Sequence, residues 1–213
     1  MNKILFFIKK NYLWIIAIIC LILTLALAED VFEQEIMKCD TIAYNFIVNS
    51  GRSDTLTMVM KLITNFGSAL VLLSISFLSF ILVKNKRKGI CITSNLILIS
   101  ILNQIVKLIV HRSRPDGYRL IAESGYSFPS GHSMTSMAFY GFLIYLTYKF
   151  IKGKSLKWFI CIVLSLLIIL IGYSRIYLGV HYASDVIAGN LISISYLIIY
   201  IKATSRYIEK NEI

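Results

Sequence analysis

Residues 156–185 read LKWFICIVLSLLIILIGYSRIYLGVHYASD. Residues 156–174 form an apolar run near the length of about 20 residues that spans a hydrocarbon core of about 30 Å. The next eleven residues then bring Arg175, His181 and Asp185. Five similar apolar runs occur, at about 12–28, 66–83, 89–110, 133–151 and 183–201. The expected fold is therefore all-α, a polytopic membrane protein of six helices. No repeat, low-complexity tract or linker divides the chain, so residues 1–213 parse as one transmembrane domain.

Composition agrees. The 213 residues are 57% hydrophobic, yet 22 of them are Lys or Arg. A soluble domain mixes apolar and polar residues at helical or strand period, whereas here they segregate into blocks. Fourteen of the 22 basic residues lie at the amino end, around 84–88, around 149–157 and at the carboxyl end. By the excess of Lys and Arg on the inner side, both termini are expected in the cytoplasm. Nine of the eleven acids fall in the connections on the other side. The net charge of +11 thus describes an inner membrane face and not a nucleic-acid surface.

The first run, after Lys9 and Lys10 and ending Ala26-Leu27-Ala28, also has the look of a cleaved secretory signal. Its 17 residues, Tyr12 to Ala28, exceed the usual signal core of about 7 to 15, which favours a retained helix. Cys20, Cys91 and Cys161 lie in apolar blocks and Cys39 stands alone in the first outer connection, with no metal or disulfide spacing. That connection, about 29 to 65, carries Ser53-Asp54 before a periodic apolar run through Leu56, Met60 and Ile63. This is a helix start, of an interfacial amphipathic helix or of the second span.

Ionisable residues at membrane depth are costly and tend to mark function. They gather here at one level, the outer ends of helices 3, 4, 5 and 6. Helix 3 ends with Asn103, Gln104 and Lys107, then His111-Arg112-Ser113-Arg114-Pro115. If the helix continues, Lys107 and Arg114 share a face about 10 Å apart, two cations suited to an anion. Snorkelling of Lys107 and contacts of the arginines with lipid headgroups account for them equally well. Pro115 holds Arg114 extended and so fixes its direction.

Helix 4 opens with Pro129-Ser130-Gly131-His132. Serine is a favoured N-cap, the free N–H groups of a helix start attract anions, and glycine permits close approach. Simple capping explains the tetrapeptide on its own. His181 and Asp185 are four apart, neighbours on a helical face, where a carboxylate fixes the histidine tautomer and leaves the other nitrogen free to attack. An Arg175–Asp185 ion pair is the plainer alternative, but it leaves the common depth of all three clusters unexplained.

Together the three clusters resemble the type 2 phosphatidic acid phosphatase family. Its signature is Lys, six residues, Arg-Pro; then Pro-Ser-Gly-His; then Ser-Arg, five residues, His, three residues, Asp. Lys107 to Arg114-Pro115, Pro129 to His132, and Ser174-Arg175 to His181 to Asp185 match it in identity and spacing. The resemblance implies a phosphatase that uses no metal or other cofactor. His181 would form a phosphohistidine, Asp185 would orient it, and His132 would act as acid and then base. Lys107, Arg114, Ser130, Gly131 and Arg175 would bind the phosphoryl oxygens. Related haloperoxidases hold vanadate in a similar site, but six spans stand against that activity here.

The expected activity is hydrolysis of a lipid phosphate or pyrophosphate, with undecaprenyl pyrophosphate, phosphatidylglycerophosphate and phosphatidate as substrates. The site would face outward from a bacterial plasma membrane, a setting suggested by small size and an Ile-, Lys- and Asn-rich composition. A phosphotransferase using the same histidine is the second enzyme hypothesis. An anion or lipid transporter is the third, disfavoured because no inverted repeat is present and the cluster lies at one surface.

Overall fold

The computed structural model describes residues 3–33, 36–49 and 51–210. Among these residues there are eight helices and no strand: α1 Lys3–Phe32, α2 Lys38–Asn49, α3 Asp54–Asn65, α4 Ala69–Leu82, α5 Lys86–Val110, α6 Gly131–Phe150, α7 Lys154–Tyr177 and α8 Ala183–Glu209. The all-α expectation holds. Among the described residues, α1 (from Ile8), α5, α7 and α8 are each long and apolar enough to cross a membrane. The pair α3 and α4 passes only together, bent by 45° at the break between them.

The 20-residue α6 does not pass on its own, although at 1.5 Å per residue it is about 30 Å long. Its place in the bundle explains this. It packs against α5, α7 and α8 and is enclosed along most of its length, so it need not present a lipid-soluble surface. His132, Ser133, Thr135 and Ser136 occupy its first turns. Lipid-facing helices instead expose aliphatic and aromatic side chains, among them Leu70 and Phe77 on α4 and Leu166 and Ile169 on α7. A hydrophobic core of Leu72, Ile92, Leu96, Phe139, Phe142, Ile168 and Ile171 joins α4 through α7.

Ser53 caps α3 as its position before the apolar run predicts, its Oγ accepting from the Leu56 N–H at 3.2 Å. Both expectations for this segment are partly met: α3 is a separate amphipathic helix packed on α7, and it leads by a bend into the apolar α4. The helix α1 packs along α8, where Ser195 Oγ donates to the Ala17 carbonyl at 2.9 Å. Short connections make α4–α5 and α6–α7 antiparallel hairpins. The C-terminal ends of α5 and α7 and the N-terminal ends of α6 and α8 therefore meet at one end of the bundle.

Candidate active site

Each of the three sequence clusters reaches this end of the bundle through a distinct piece of backbone. The helix α5 stops at His111, whose φ of 53° is the left-handed conformation that commonly closes helices, and its N–H donates to the Lys107 carbonyl at 3.1 Å. The chain then doubles back, carrying Arg112 and Arg114 inward; both are buried. Lys107 remains on the last turn of α5, its Nζ donating to the Tyr126 carbonyl at 2.7 Å.

Ser130 caps α6, accepting from the Ser133 N–H at 3.4 Å and from Ser133 Oγ at 3.0 Å. Its own N–H donates to the backbone carbonyl of Asp185 at 3.0 Å, tying the start of α6 to the start of α8. That approach depends on Gly189, since a Cβ there would lie 3.0 Å from the Ser130 carbonyl oxygen. Asn103 Nδ2 holds the Pro129 carbonyl at 3.3 Å and its Oδ1 lies beside Gly131. Gly131 is half-buried, as is His132 one residue inside, and the charges of Arg175, Glu123, His181 and Lys107 all act on His132.

His181 lies in the short connection between α7 and α8, which Gly179 turns with φ +72°. The imidazole is buried. Arg114 Nη1 stands 3.1 Å from Nε2, while Asp185 Oδ2 and Ser127 Oγ stand 3.4 and 3.3 Å from Nδ1. A guanidinium can only donate, so Nε2 must present its lone pair and the proton of the neutral ring must be on Nδ1, toward the carboxylate. Burial, opposed by Asp185 and assisted by Arg175 and Arg114, lowers the pKa of His181 from 6.5 to about 4. The ring is neutral at pH 7, with Nε2 turned toward Arg114.

Asp185 is the third residue of α8 and is fully enclosed. Its Oδ2 accepts from Ser127 Oγ at 2.5 Å and the Tyr182 N–H at 2.9 Å, and its Oδ1 from Arg112 Nη1 at 2.7 Å. Four polar partners, counting His181, fix the carboxylate in place. Arg175, 1% exposed, donates from Nη1 to Thr64 Oγ1 at 2.8 Å and from Nη2 to Glu123. The Arg175–Asp185 ion pair weighed as an alternative is therefore not formed; Arg112 takes that place and Arg175 pairs with Glu123.

All eight residues named from the sequence thus lie at one end of the bundle. Sequence reasoning missed several of their partners. Arg112 sat inside a quoted motif without being placed at the site, and Ser127 stood two residues before another. Glu123 and Thr64 carried no signal, and neither did Asp40, because each reaches the site only through tertiary packing. Burial pushes the Glu123 carboxyl up, but the Arg175 hydrogen bond and charge, with His132 and Arg114, hold it below the usual range. It is the anion paired with Arg175. Among the described residues, no three His, Cys, Asp or Glu side chains are grouped to hold a metal ion.

Two openings lead here. A cavity of about 470 Å³ between α4, α5 and α6 has Gly131, His132 and Asn103 at one end and Leu72, Leu73 and Ile97 along its wall. A second, apolar groove of about 640 Å³ between α4 and α5 shares Leu73 and Ile97 with it. A further cavity of about 310 Å³ beside α2 is lined by His181 together with Tyr44, Tyr118 and Tyr182.

The model of the PAP2 superfamily matches residues 88–209, which contain all three clusters. The chain belongs to the PAP2 superfamily. Among curated PAP2 relatives, the phosphatidylglycerophosphatase B of Bacillus subtilis is 40% identical over 90 residues, 42% of this chain and 44% of that protein, so the alignment spans less than half of it. The undecaprenyl-diphosphatase of Sulfolobus acidocaldarius is 26% identical over 208 residues, covering 92% of this chain and 94% of that one. The crystal structure of the transmembrane PAP2 type phosphatidylglycerolphosphate phosphatase from Bacillus subtilis superposes with a TM-score of 0.78 at 27% identity, covering 92% of this chain and 98% of that one.

Proposed function

We propose that this PAP2 protein is a lipid phosphatase that removes a phosphate or pyrophosphate group from a membrane lipid through a phosphohistidine at His181. The observation that carries this is the setting of His181, with Nδ1 facing Asp185 and Nε2 facing Arg114. Nε2 attacks phosphorus in line, forming the P–N bond as the P–O bond to the lipid breaks. His132 gives its proton to the departing oxygen. Water then attacks the phosphohistidine, His132 accepts its proton, and breakage of the P–N bond frees phosphate and restores neutral His181.

Phosphoryl transfer asks chiefly for positioning and for positive charge around the equatorial oxygens. Lys107, Arg114, Arg175 and the α6 start at Ser130 and Gly131 supply both, with Glu123 displaced from Arg175 by the incoming phosphate. Asp185 balances the charge that develops on His181.

The grooves give each reactant its own path. The apolar one between α4 and α5 suits lipid tails, delivering the headgroup to His132. The cavity beside α2 suits water and phosphate. We take α6 as a sixth span, residues 1–213 as one membrane domain, and the site as facing outward from a bacterial plasma membrane with both termini inside. The distribution of basic residues and the Bacillus relatives support that placement. Membrane lipids are the partners, and no nucleic acid is involved.

Phosphate release from purified protein on undecaprenyl pyrophosphate, phosphatidylglycerophosphate, phosphatidate and diacylglycerol pyrophosphate tests the activity and ranks the substrates. Release without an added acceptor is expected; none on any of the four would exclude a hydrolase of these lipids and leave the phosphotransferase. Vanadate should compete with substrate. Excess EDTA should leave the rate unchanged, because the protein's own cations do the electrostatic work.

A further inference from the structure

The carboxylate of Asp40 is buried although α2, which carries it, lies outside the residues matched by the family model. Both of its oxygens are engaged. Oδ1 accepts from the Ser184 N–H at 2.8 Å, and Oδ2 from Ser184 Oγ at 2.8 Å and Arg112 Nη2 at 3.0 Å. The same guanidinium turns its other arm to Ser184 Oγ and to Asp185 Oδ1, each at 2.7 Å. Ser184 Oγ, accepting from Arg112 and donating to Asp40, closes the ring. One arginine is thus shared by two buried carboxylates, of which the second holds His181.

We propose that Asp40 is a positioning residue of the reaction, sharing Arg112 with Asp185 so that Asp185 keeps negative charge to present to His181. The proposal rests on His181 as the nucleophile. With His181 neutral, Asp40, Arg112 and Asp185 sum to one negative charge. When Nε2 bonds to phosphorus with Nδ1 still protonated, the ring becomes cationic and the cluster reaches balance. Without Asp40, Arg112 neutralises Asp185 alone, and the same step leaves one positive charge beside Arg114 and Arg175. Asp40 also places a carboxylate on the second N–H of α8, where a helix start favours negative charge and where it sets the direction of Asp185 next along the chain.

The sign of an electrostatic role differs from that of a tether for α2. The charged groups facing His181 are Asp185 of α8, Arg175 of α7, His132 of α6 and Arg114 of the loop, with Asp40 and Arg112 acting through Asp185. Removing a negative charge makes His181 harder to protonate and less nucleophilic; removing Arg112 does the reverse to its basicity.

The experiment is the pH profile of kcat/KM for phosphate release from dioctanoyl phosphatidate, on detergent-purified full chain. Asp40→Asn is expected to move the acid limb down by about one pH unit and lower kcat about tenfold, with Asp40→Glu restoring much of the loss. Arg112→Gln is expected to move the limb up. If Arg112→Gln does not fold, the Asn and Glu variants at position 40 decide alone. An acid limb unmoved in Asp40→Asn, or moved upward, overturns the proposal even if the melting temperature falls. His181→Asn measured alongside separates the two layers: if it still turns over at the parental rate, the nucleophile assignment fails. If it is inactive while Asp40→Asn keeps the parental profile, the role of Asp40 alone fails.

Discussion

In the proposed mechanism a single side chain, His181, carries most of the chemistry, and its partners say what removing it would do. Asn has comparable bulk and keeps a polar atom toward Asp185, so His181→Asn should fold as the parent does and lose turnover by about 10⁴-fold or more, as for other nucleophiles that work within a unit. Normal melting with that loss in phosphate release checks both halves. The pH dependence follows from the lowered pKa. As the proposed nucleophile His181 would react only when neutral, and its protonation is pushed from 6.5 down to about 4, so activity limited by this group should persist through pH 6 and fall only toward pH 4. A kcat/KM profile whose nucleophile limb lies near 6.5 would contradict the buried setting. The two histidines and three cations could be named from the sequence because each sits in a short local motif, and the three motifs together resemble one family signature. Glu123, Asp40 and Thr64 were not, because 52, 72 and 111 positions separate them from the arginines they hold.

Elements were legible wherever an apolar run of membrane length met a polar end, as in α5, α7 and α8. The central α6 was legible too, as the apolar run 133–151, although enclosure by neighbours relaxes the demand for apolarity in its first turns and it does not pass as a span on its own. What periodicity could not give is how two elements join around a site. The turn at Gly179 shows the difference. With φ +72° and a Cβ position 1.9 Å from the Tyr118 carbonyl oxygen, it tolerates no side chain where the loop crosses the α7–α8 connection. Leu120 N–H also donates to the Leu178 carbonyl at 2.9 Å there. Gly179→Ala should therefore cost at least about 1–3 kcal/mol, read as a lower melting temperature, and should lower kcat by displacing His181 two residues on. Parental melting and parental kcat in this variant would show that the crossing is not needed.

In the proposed orientation of the whole molecule, α2 and the meeting ends of α5 to α8 lie on the outer side. Cys39 on α2 is the exposed thiol, while Cys20, Cys91 and Cys161 are buried. A membrane-impermeant maleimide should therefore label intact cells at Cys39 and lose its target in Cys39→Ser. Labelling only after the membrane is opened would reverse the orientation. Three segments far apart in the chain form one site because antiparallel hairpins return their ends to one face, and that site is claimed to work through a covalent phosphohistidine. Its most direct test is to mix purified protein with phosphatidate labelled with ³²P in its phosphate, quench in alkali, where phosphohistidine survives, and map the labelled peptide. Label on His181 in the parent and none in His181→Asn is the expected result. Label on a different residue, or near-normal turnover by His181→Asn, would contradict it.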